Sequence, residues 1–314
     1  MGAIHTCAVV QGNLRRGTDE VLACMARHFD RVILSTWEDE NPDKIPKGDF
    51  EVILNKKPPV PGYSHRNFQR LSTAAGLRLA EEWGATHVLK WRTDMLPTKL
   101  DVRQLLGWST YEVPPGLDSR LVTCAFRNLT VNQDWFSTIP DYFAFADMKL
   151  MKLLWGDEPF DYSQDMNIPE EMIIEYGKSW CERTDALGLF CPEAELYAIF
   201  RSRLQKQFRR KLTHFEIAKQ HMRLFNHRRL GICWFGEQGN FRSITQALQH
   251  PWWSESVWKR GKPINVECGY PETTWLQKFK RKHITRLVIR YEQYMQQKWY
   301  ETYRRAIADG LVGT

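Results

Sequence analysis

The sequence predicts an α/β protein built on a mostly parallel sheet flanked by helices, and two observations carry that expectation. Short, nearly continuous apolar runs alternate with helix-length amphipathic segments through the first hundred residues. That is the pattern of strands buried on both faces and joined by crossover helices. Each of three such runs ends in small polar or charged residues: Gln11-Gly12-Asn13, Ser35-Thr36-Trp37-Glu38 and Arg92-Thr93-Asp94. Sheets of this class hold their ligands just outside the carboxyl ends of the strands.

The elements follow in order. Thr6 to Gln11 is a buried-strand run closed by Gly12, and Thr18 to His28 a helix that Thr18 can cap, with Val21, Leu22, Met25 and Phe29 on its apolar side. Residues 31–36 and 50–55 give a second and a third strand, and the proline-rich stretch from Pro58 to Gly62 forbids regular structure. Asn67 to Trp83 is helical, with Leu71, Ala75, Leu79 and Trp83 spaced by four, and Thr86 to Trp91 is the fourth strand. Further on, 121–126 and 142–145 read as strands and 148–155 as a helix. A polar loop follows at 163–169, with helices at 170–176, 192–207 and 275–308. The expected division is a catalytic domain over 1–200 and a basic, largely helical region over 201–314 that contacts acceptor or membrane surface.

With 43% hydrophobic and 26% charged residues in 314, the chain has the balance of a globular protein with a packed core. No stretch reaches the roughly 18–20 apolar residues that a membrane-spanning helix needs, and the first residues lack the pattern of a secretory signal. None of the seven cysteines forms a Cys-x-x-Cys pair, so reduced, buried thiols and a cytoplasmic location are expected. The net charge of +7 is concentrated late in the chain. Ten Lys or Arg stand against one acid between Phe200 and Cys233, and nine against four from Pro271 onward. Such a surface attracts nucleic acid, anionic lipid or phosphorylated substrates alike, and charge does not choose among them.

The chemistry is sought at the strand ends. An acid there can hold Mn²⁺ or Mg²⁺ against a diphosphate, which makes Asp94 the candidate metal ligand. Arg92, two residues earlier on the same face, can reach a phosphate bidentately. The plainer alternatives are an Arg92–Asp94 ion pair or a turn cap by Asp94.

Four blocks resemble the WavE family of lipopolysaccharide-synthesis proteins. They are Val9-Val10-Gln11-Gly12, Val32 to Glu38, Asn67 to Thr73 through Gly76-Leu77, and Val88 to Asp94. Asp141 to Phe145 and Pro192-Glu193 match later blocks more loosely, and nothing beyond about residue 200 is matched. The chain departs from the family at Phe68-Gln69, with arginines at Arg66 and Arg70 instead. The resemblance implies a GT-A-like fold and glycosyl transfer from a nucleotide-sugar donor to a glycan or glycolipid acceptor. It implies backbone approach to the nucleotide at Gln11-Gly12, a base and ribose border of Thr36, Trp37 and Glu38, and a diphosphate clamp from Arg66 and Arg70 beside Arg92.

An inverting transferase needs a base for the acceptor proton, and Asp141, Asp147, Asp165 and Glu193 are candidates, with Asp147 and Glu193 foremost. Helix capping explains both equally well. His214, His221 and His227 are weaker metal candidates. The basic tail with its aromatic residues fits peripheral contact with an anionic membrane face, or a helix packed on the catalytic domain. Trp252, Trp253 and Trp258 could stack on an acceptor sugar or pack in a core. The competing functions are a basic nucleic-acid-binding protein, for which no motif is found and nucleic-acid binding is not expected, and a metal-dependent nucleotidyltransferase, which would want a second carboxylate beside Asp94.

Overall fold

In the computed structural model, Thr6–Gln11 forms strand β1 with all six residues buried. Its neighbours are the runs that the apolar pattern marks. The structure describes residues 5–59, 61, 65–124, 127–131, 134–156, 192–236, 240–242, 266–267 and 275–311. After β1 come α1 (Thr18–His28), β2 (Arg31–Trp37), β3 (Glu51–Asn55), α2 (Arg66–Glu82), β4 (His87–Arg92), β5 (Met95–Pro97) and α3 (Val102–Ser109). The chain continues through β6 (Leu121–Thr123), β7 (Arg127–Val131), β8 (Asp134–Thr138), β9 (Ala144–Asp147), α4 (Met148–Trp155) and α5 (Pro192–Phe208). The last elements are β10 (Met222–Leu224), β11 (Ile232–Trp234), β12 (Val266–Glu267) and the long helix α6 (Trp275–Ala308).

The central sheet has seven strands in the order β10-β6-β9-β4-β1-β2-β3. β4, β1, β2 and β3 are mutually parallel, β6 and β10 run with them, and β9 alone opposes its neighbours. The predicted α/β class, a mostly parallel Rossmann-like sheet flanked by helices, is the one observed. Period-two alternation divides the core between its faces. Cys7, Val9, Ile33 and Val88 pack beneath α2, α4 and α5 with Leu77, Leu150 and Phe200. Ala8, Val10, Leu34, Leu89 and Trp91 pack on the other side with Leu22, Phe143 and Tyr303.

Helix α2 lies close against β1 because Gly76 has no side chain to hold it off. A methyl added there would stand 2.3 Å from Val9 Cγ1. Alanine helps a solvent-facing helix by about 1 kcal/mol, whereas overpacking a tight core costs about 1–3 kcal/mol. Gly76→Ala should therefore lower stability by about 1–2 kcal/mol in urea denaturation. In the Gly76→Ala/Val9→Ala double variant the loss should be smaller than the sum of the two single losses, because the shortened side chain makes room for the added methyl, so the coupling between the sites is the readout. A fully additive pair would refute the contact.

Several details differ from the sequence reading. The strand expected at 142–145 is β9, shifted to Ala144–Asp147 and antiparallel to β4, with His87 opposite Asp147. The short strands β5, β10 and β11 carry too few residues for a periodic signal. The boundary expected at residue 200 falls inside α5. Beyond it, β10 extends the central sheet beside β6, and β11 pairs with β5 so that Trp234 faces Met95. Helix α6 is fastened to this ribbon and to α1. Gln296 Oε1 accepts from the Trp234 backbone N–H at 2.9 Å, and the Tyr300 hydroxyl donates to Glu20 at 2.7 Å. Cys7, Cys24, Cys124 and Cys233 are buried free thiols; Cys181, Cys191 and Cys268 lie outside the described residues, as do Asp165, the segments at 163–169 and 170–176, and Trp252, Trp253 and Trp258. Among the described residues no helix is long and apolar enough to cross a membrane.

Candidate functional site

The carboxyl ends of β1, β2 and β4 are laced together by hydrogen bonds that leave a cleft above them. Gly12, at φ 126°, donates its N–H to the Ser35 carbonyl at 3.2 Å. A side chain there would be strained by the backbone angle and would press on Thr93 Oγ1 at 3.2 Å. Thr93 Oγ1 donates to the Asn13 carbonyl at 2.7 Å, fixing the β1 loop to the end of β4. Beneath them Ser72 of α2 donates to Gln11 Oε1 at 3.0 Å, while Ser35 donates to the Ser72 carbonyl at 2.7 Å. Buried hydroxyls and amides that satisfy one another in this way hold strand ends and helix in one geometry.

The cleft has a volume of about 250 Å³. Its floor is polar, with Gly12, Arg15, Arg92, Thr93 and Asp94. Its wall is aromatic, from Trp37, His65 and Phe68. Trp37 and Phe68 meet at 5.0 Å between ring centroids, and His65 stacks on Phe68 at 5.5 Å. Trp37 Nε1 donates to Asn13 Oδ1 at 3.0 Å, which sets the indole plane.

Asp94 is the electrostatic centre. Its side chain is 2% exposed. Arg92 donates to it twice, from Nε to Oδ1 and from Nη2 to Oδ2, both at 2.9 Å. Arg15 Nη1 and Trp234 Nε1 reach Oδ2 at 3.4 and 3.1 Å. Burial alone would raise the Asp94 carboxyl; the charge and hydrogen bonds of Arg92, followed by Arg15 and Trp234, hold it below the ordinary carboxylate value. Trp234 is itself flanked by Arg92 and Arg242, at 5.6 and 5.2 Å from its ring centroid.

This donor set does not fit a divalent cation at Asp94. Both carboxylate oxygens already accept from cationic or N–H donors, and Mg²⁺ or Mn²⁺ needs carboxylate oxygens free to coordinate. Each guanidinium would also oppose a cation 4 Å away by about 4 kcal/mol per unit charge at an effective dielectric near 20. Among the described residues no group of three or more His, Cys, Asp or Glu is arranged to hold a metal ion.

Of the residues singled out from sequence, Gln11, Gly12, Trp37, Arg92 and Asp94 line the cleft. Thr36 is buried, and strand alternation turns it to the sheet face opposite Ser35 and Trp37. Glu38 is exposed beyond the strand end. Arg66 and Arg70 lie on α2, but the helix presents Phe68 and Gln69 to the cleft, with His65 just before it. Asp147 caps α4, accepting from the Leu150 N–H at 2.9 Å. Because β9 runs backward, Asp147 stands beside His87 at the amino end of β4, away from the cleft. Glu193 is in the first turn of α5, and its charge bears on both Arg92 and Lys90. His227 pairs with Glu292 at 3.1 Å, and buried His221 is pushed down to about 4 by desolvation and by Arg210 and Arg120; the His214 side chain lies outside the described residues. Arg15 and Trp234 escaped the sequence reading. Arg15 had a signal, as a cation in the loop after β1; Trp234, 140 residues from Asp94, had none.

The fold and cleft together define an α/β protein with a Rossmann-like, mostly parallel sheet and a polar, aromatic-walled site at its carboxyl edge. No family model matches this chain and no curated protein matches it; the WavE resemblance rests on the sequence blocks. Among solved structures it is similar to HddC from Yersinia pseudotuberculosis complexed with GMP-PN, at 12% identity over 50% of this chain and 81% of that one, TM-score 0.29. It is also similar to A197 from STIV, at 8% identity over 86% and 100%, TM-score 0.36. A third is a 4-diphosphocytidyl-2C-methyl-D-erythritol synthase, at 13% identity over 50% and 82%, TM-score 0.30. Likenesses this distant do not bear on function.

Proposed function

We propose that this chain is a glycosyltransferase that binds a nucleotide-sugar donor in the cleft and passes the sugar to a glycan or glycolipid precursor of surface polysaccharide or lipopolysaccharide. The observation that carries the reading is the pairing of an arginine floor with an aromatic wall at the carboxyl edge of the sheet. Guanidinium groups suit a diphosphate, and Trp37 and Phe68 suit the flat face of a base. In the transfer, the bond from anomeric carbon to phosphate oxygen breaks with its electron pair going to phosphate. The acceptor hydroxyl oxygen bonds that carbon, and its proton passes to a carboxylate, for which Glu193, on the Arg92 side of the sheet, is the better placed of the two foremost candidates. Exposed Leu287, Tyr291 and Tyr294 beside Arg286 and Arg290 on α6 support a cytoplasmic enzyme touching an anionic membrane face.

A panel of nucleotide sugars in a thermal-shift assay tests the donor site. A donor present at a hundred times its dissociation constant should stabilise the fold by about 2.7 kcal/mol, and product analysis with the shifting donor should show transfer to acceptor glycan. No shift from any donor, with or without Mn²⁺, would sink the reading. Pyrophosphate release from a nucleoside triphosphate and a sugar phosphate would reassign the chain to nucleotidyl transfer. Steeply salt-dependent DNA binding with no donor binding would favour the nucleic-acid alternative.

A further inference from the structure

We propose that the cleft takes the phosphate groups of its ligand on the guanidinium groups of Arg15 and Arg92 without a divalent cation, and that Asp94 is the positioning residue that aims both arginines. The geometry assigns these roles. Asp94 is buried between the two arginines and spends both oxygens on them and on Trp234. Arg92 uses Nε and Nη2 on Asp94 and still lines the cleft, leaving its Nη1 donors for a ligand. Arg15 reaches Asp94 through one Nη1 contact, and its side chain is 44% exposed. Two cations against one carboxylate leave the floor with a net positive charge, attractive to an anion and repellent to a metal ion. Gly12 adds a stretch of backbone without a side chain beside the same floor.

The chemistry follows from these placements. As the sugar departs, negative charge grows on the leaving phosphate oxygen. Preorganised donors aimed at that oxygen stabilise it without reorganising. A guanidinium holds two phosphate oxygens in its plane, and the Asp94 clamp fixes that plane before ligand arrives. The identity of the leaving group as a nucleoside diphosphate rests on the donor reading above; the anion site itself does not.

Titration calorimetry of inorganic pyrophosphate into the full chain separates the two. In excess EDTA pyrophosphate should bind. Mn²⁺ or Mg²⁺ in place of EDTA should leave the apparent affinity equal or weaker, since the ion complexes pyrophosphate itself, and never strengthen it by more than about threefold. Arg15→Gln and Arg92→Gln should each weaken binding by about tenfold or more. Arg15 is the decisive variant, because its exposed side chain can be replaced without stranding a buried charge. Binding that requires the metal ion, no pyrophosphate binding under either condition, or unchanged affinity in Arg15→Gln would each overturn the proposal. Pyrophosphate binding in EDTA with no response to any nucleotide sugar would keep the anion site and sink the donor reading. Metal-dependent binding of a nucleotide sugar would do the reverse.

Discussion

Asp94→Asn is expected to destabilise the fold by about 2–3 kcal/mol at neutral pH, read as a lower urea midpoint at unchanged slope. The substitution keeps the shape of the side chain and removes its charge. Arg92 then loses the carboxylate that takes two of its N–H donors, and Arg15 and Trp234 lose theirs. Breaking a fully buried pair costs about 3–5 kcal/mol. The expected loss is smaller because Arg92 and Arg15 are 23% and 44% exposed and water can take up part of their charge. The pH dependence identifies the cause. Asp94 is held below the ordinary carboxylate value of 3.8, so its contribution is complete above that pH and is lost as pH falls through its lower folded value. The gap between the variant and the parent chain should therefore be constant from neutral pH down to about 4 and shrink below it. A gap that persists unchanged into strong acid would mean that shape, not charge, is what the substitution removed.

Lys90→Met is expected to act in the opposite direction, stabilising the chain by about 2–3 kcal/mol near pH 6. Lys90 sits on β4 with no exposed surface, its ammonium donating to the Asp141 main-chain carbonyl and lying 4.9 Å from the Trp155 ring centroid. Burial drives its pKa down to about 7; Asp141, Asp94 and Glu193 pull it up, and Arg92 adds to the depression. An unfolded lysine titrates at 10.5. Below pH 7 both states carry the proton and the full cost of burying the charge is present. Between 7 and 10.5 only the unfolded chain holds it, so the cost fades as pH rises. That cost is about 5 kcal/mol at 1.36 kcal/mol for each pH unit. Methionine is close in volume and removes the charge, but it leaves the Asp141 carbonyl without this donor at about 1–3 kcal/mol. The gain should be largest at pH 6 and vanish or reverse by pH 10. A gain equal at pH 6, 8 and 10 would show that the buried charge is not its source, and a loss at pH 6 would show that Lys90 is folded as a stabilised cation.

The α/β class and the cleft's position were legible because both follow from local pattern. Nearly continuous apolar runs identified β1 to β4, since strands covered on both faces have no polar side to show. Gln11-Gly12, Trp37 and Arg92-Thr93-Asp94 stood out as polar or aromatic interruptions where those runs stop. The same logic failed at Thr36, one residue from two inward-facing neighbours, because alternation turned it away. Arg66 and Arg70, the clamp that the resemblance implies, are not among the residues lining the cleft, because helix rotation presents Phe68 and Gln69 instead. Asp147 looked like a strand-end acid, as it is, but its strand runs backward and delivers it to the other edge.

Periodicity and turn chemistry act over a few residues, so the succession of strands and helices, the apolar faces that pair them and the strand ends above which the cleft opens could be read from the sequence alone. What Asp94 contacts depends on the tertiary structure. A lone aspartate at a strand end resembles a metal ligand until Arg15 from the β1 loop and Trp234 from β11 are brought against it. Those contacts span 79 and 140 residues and depend on strand order and on the pairing of β11 with β5. No local pattern encodes them, and they convert a candidate cation site into a held pair of arginines.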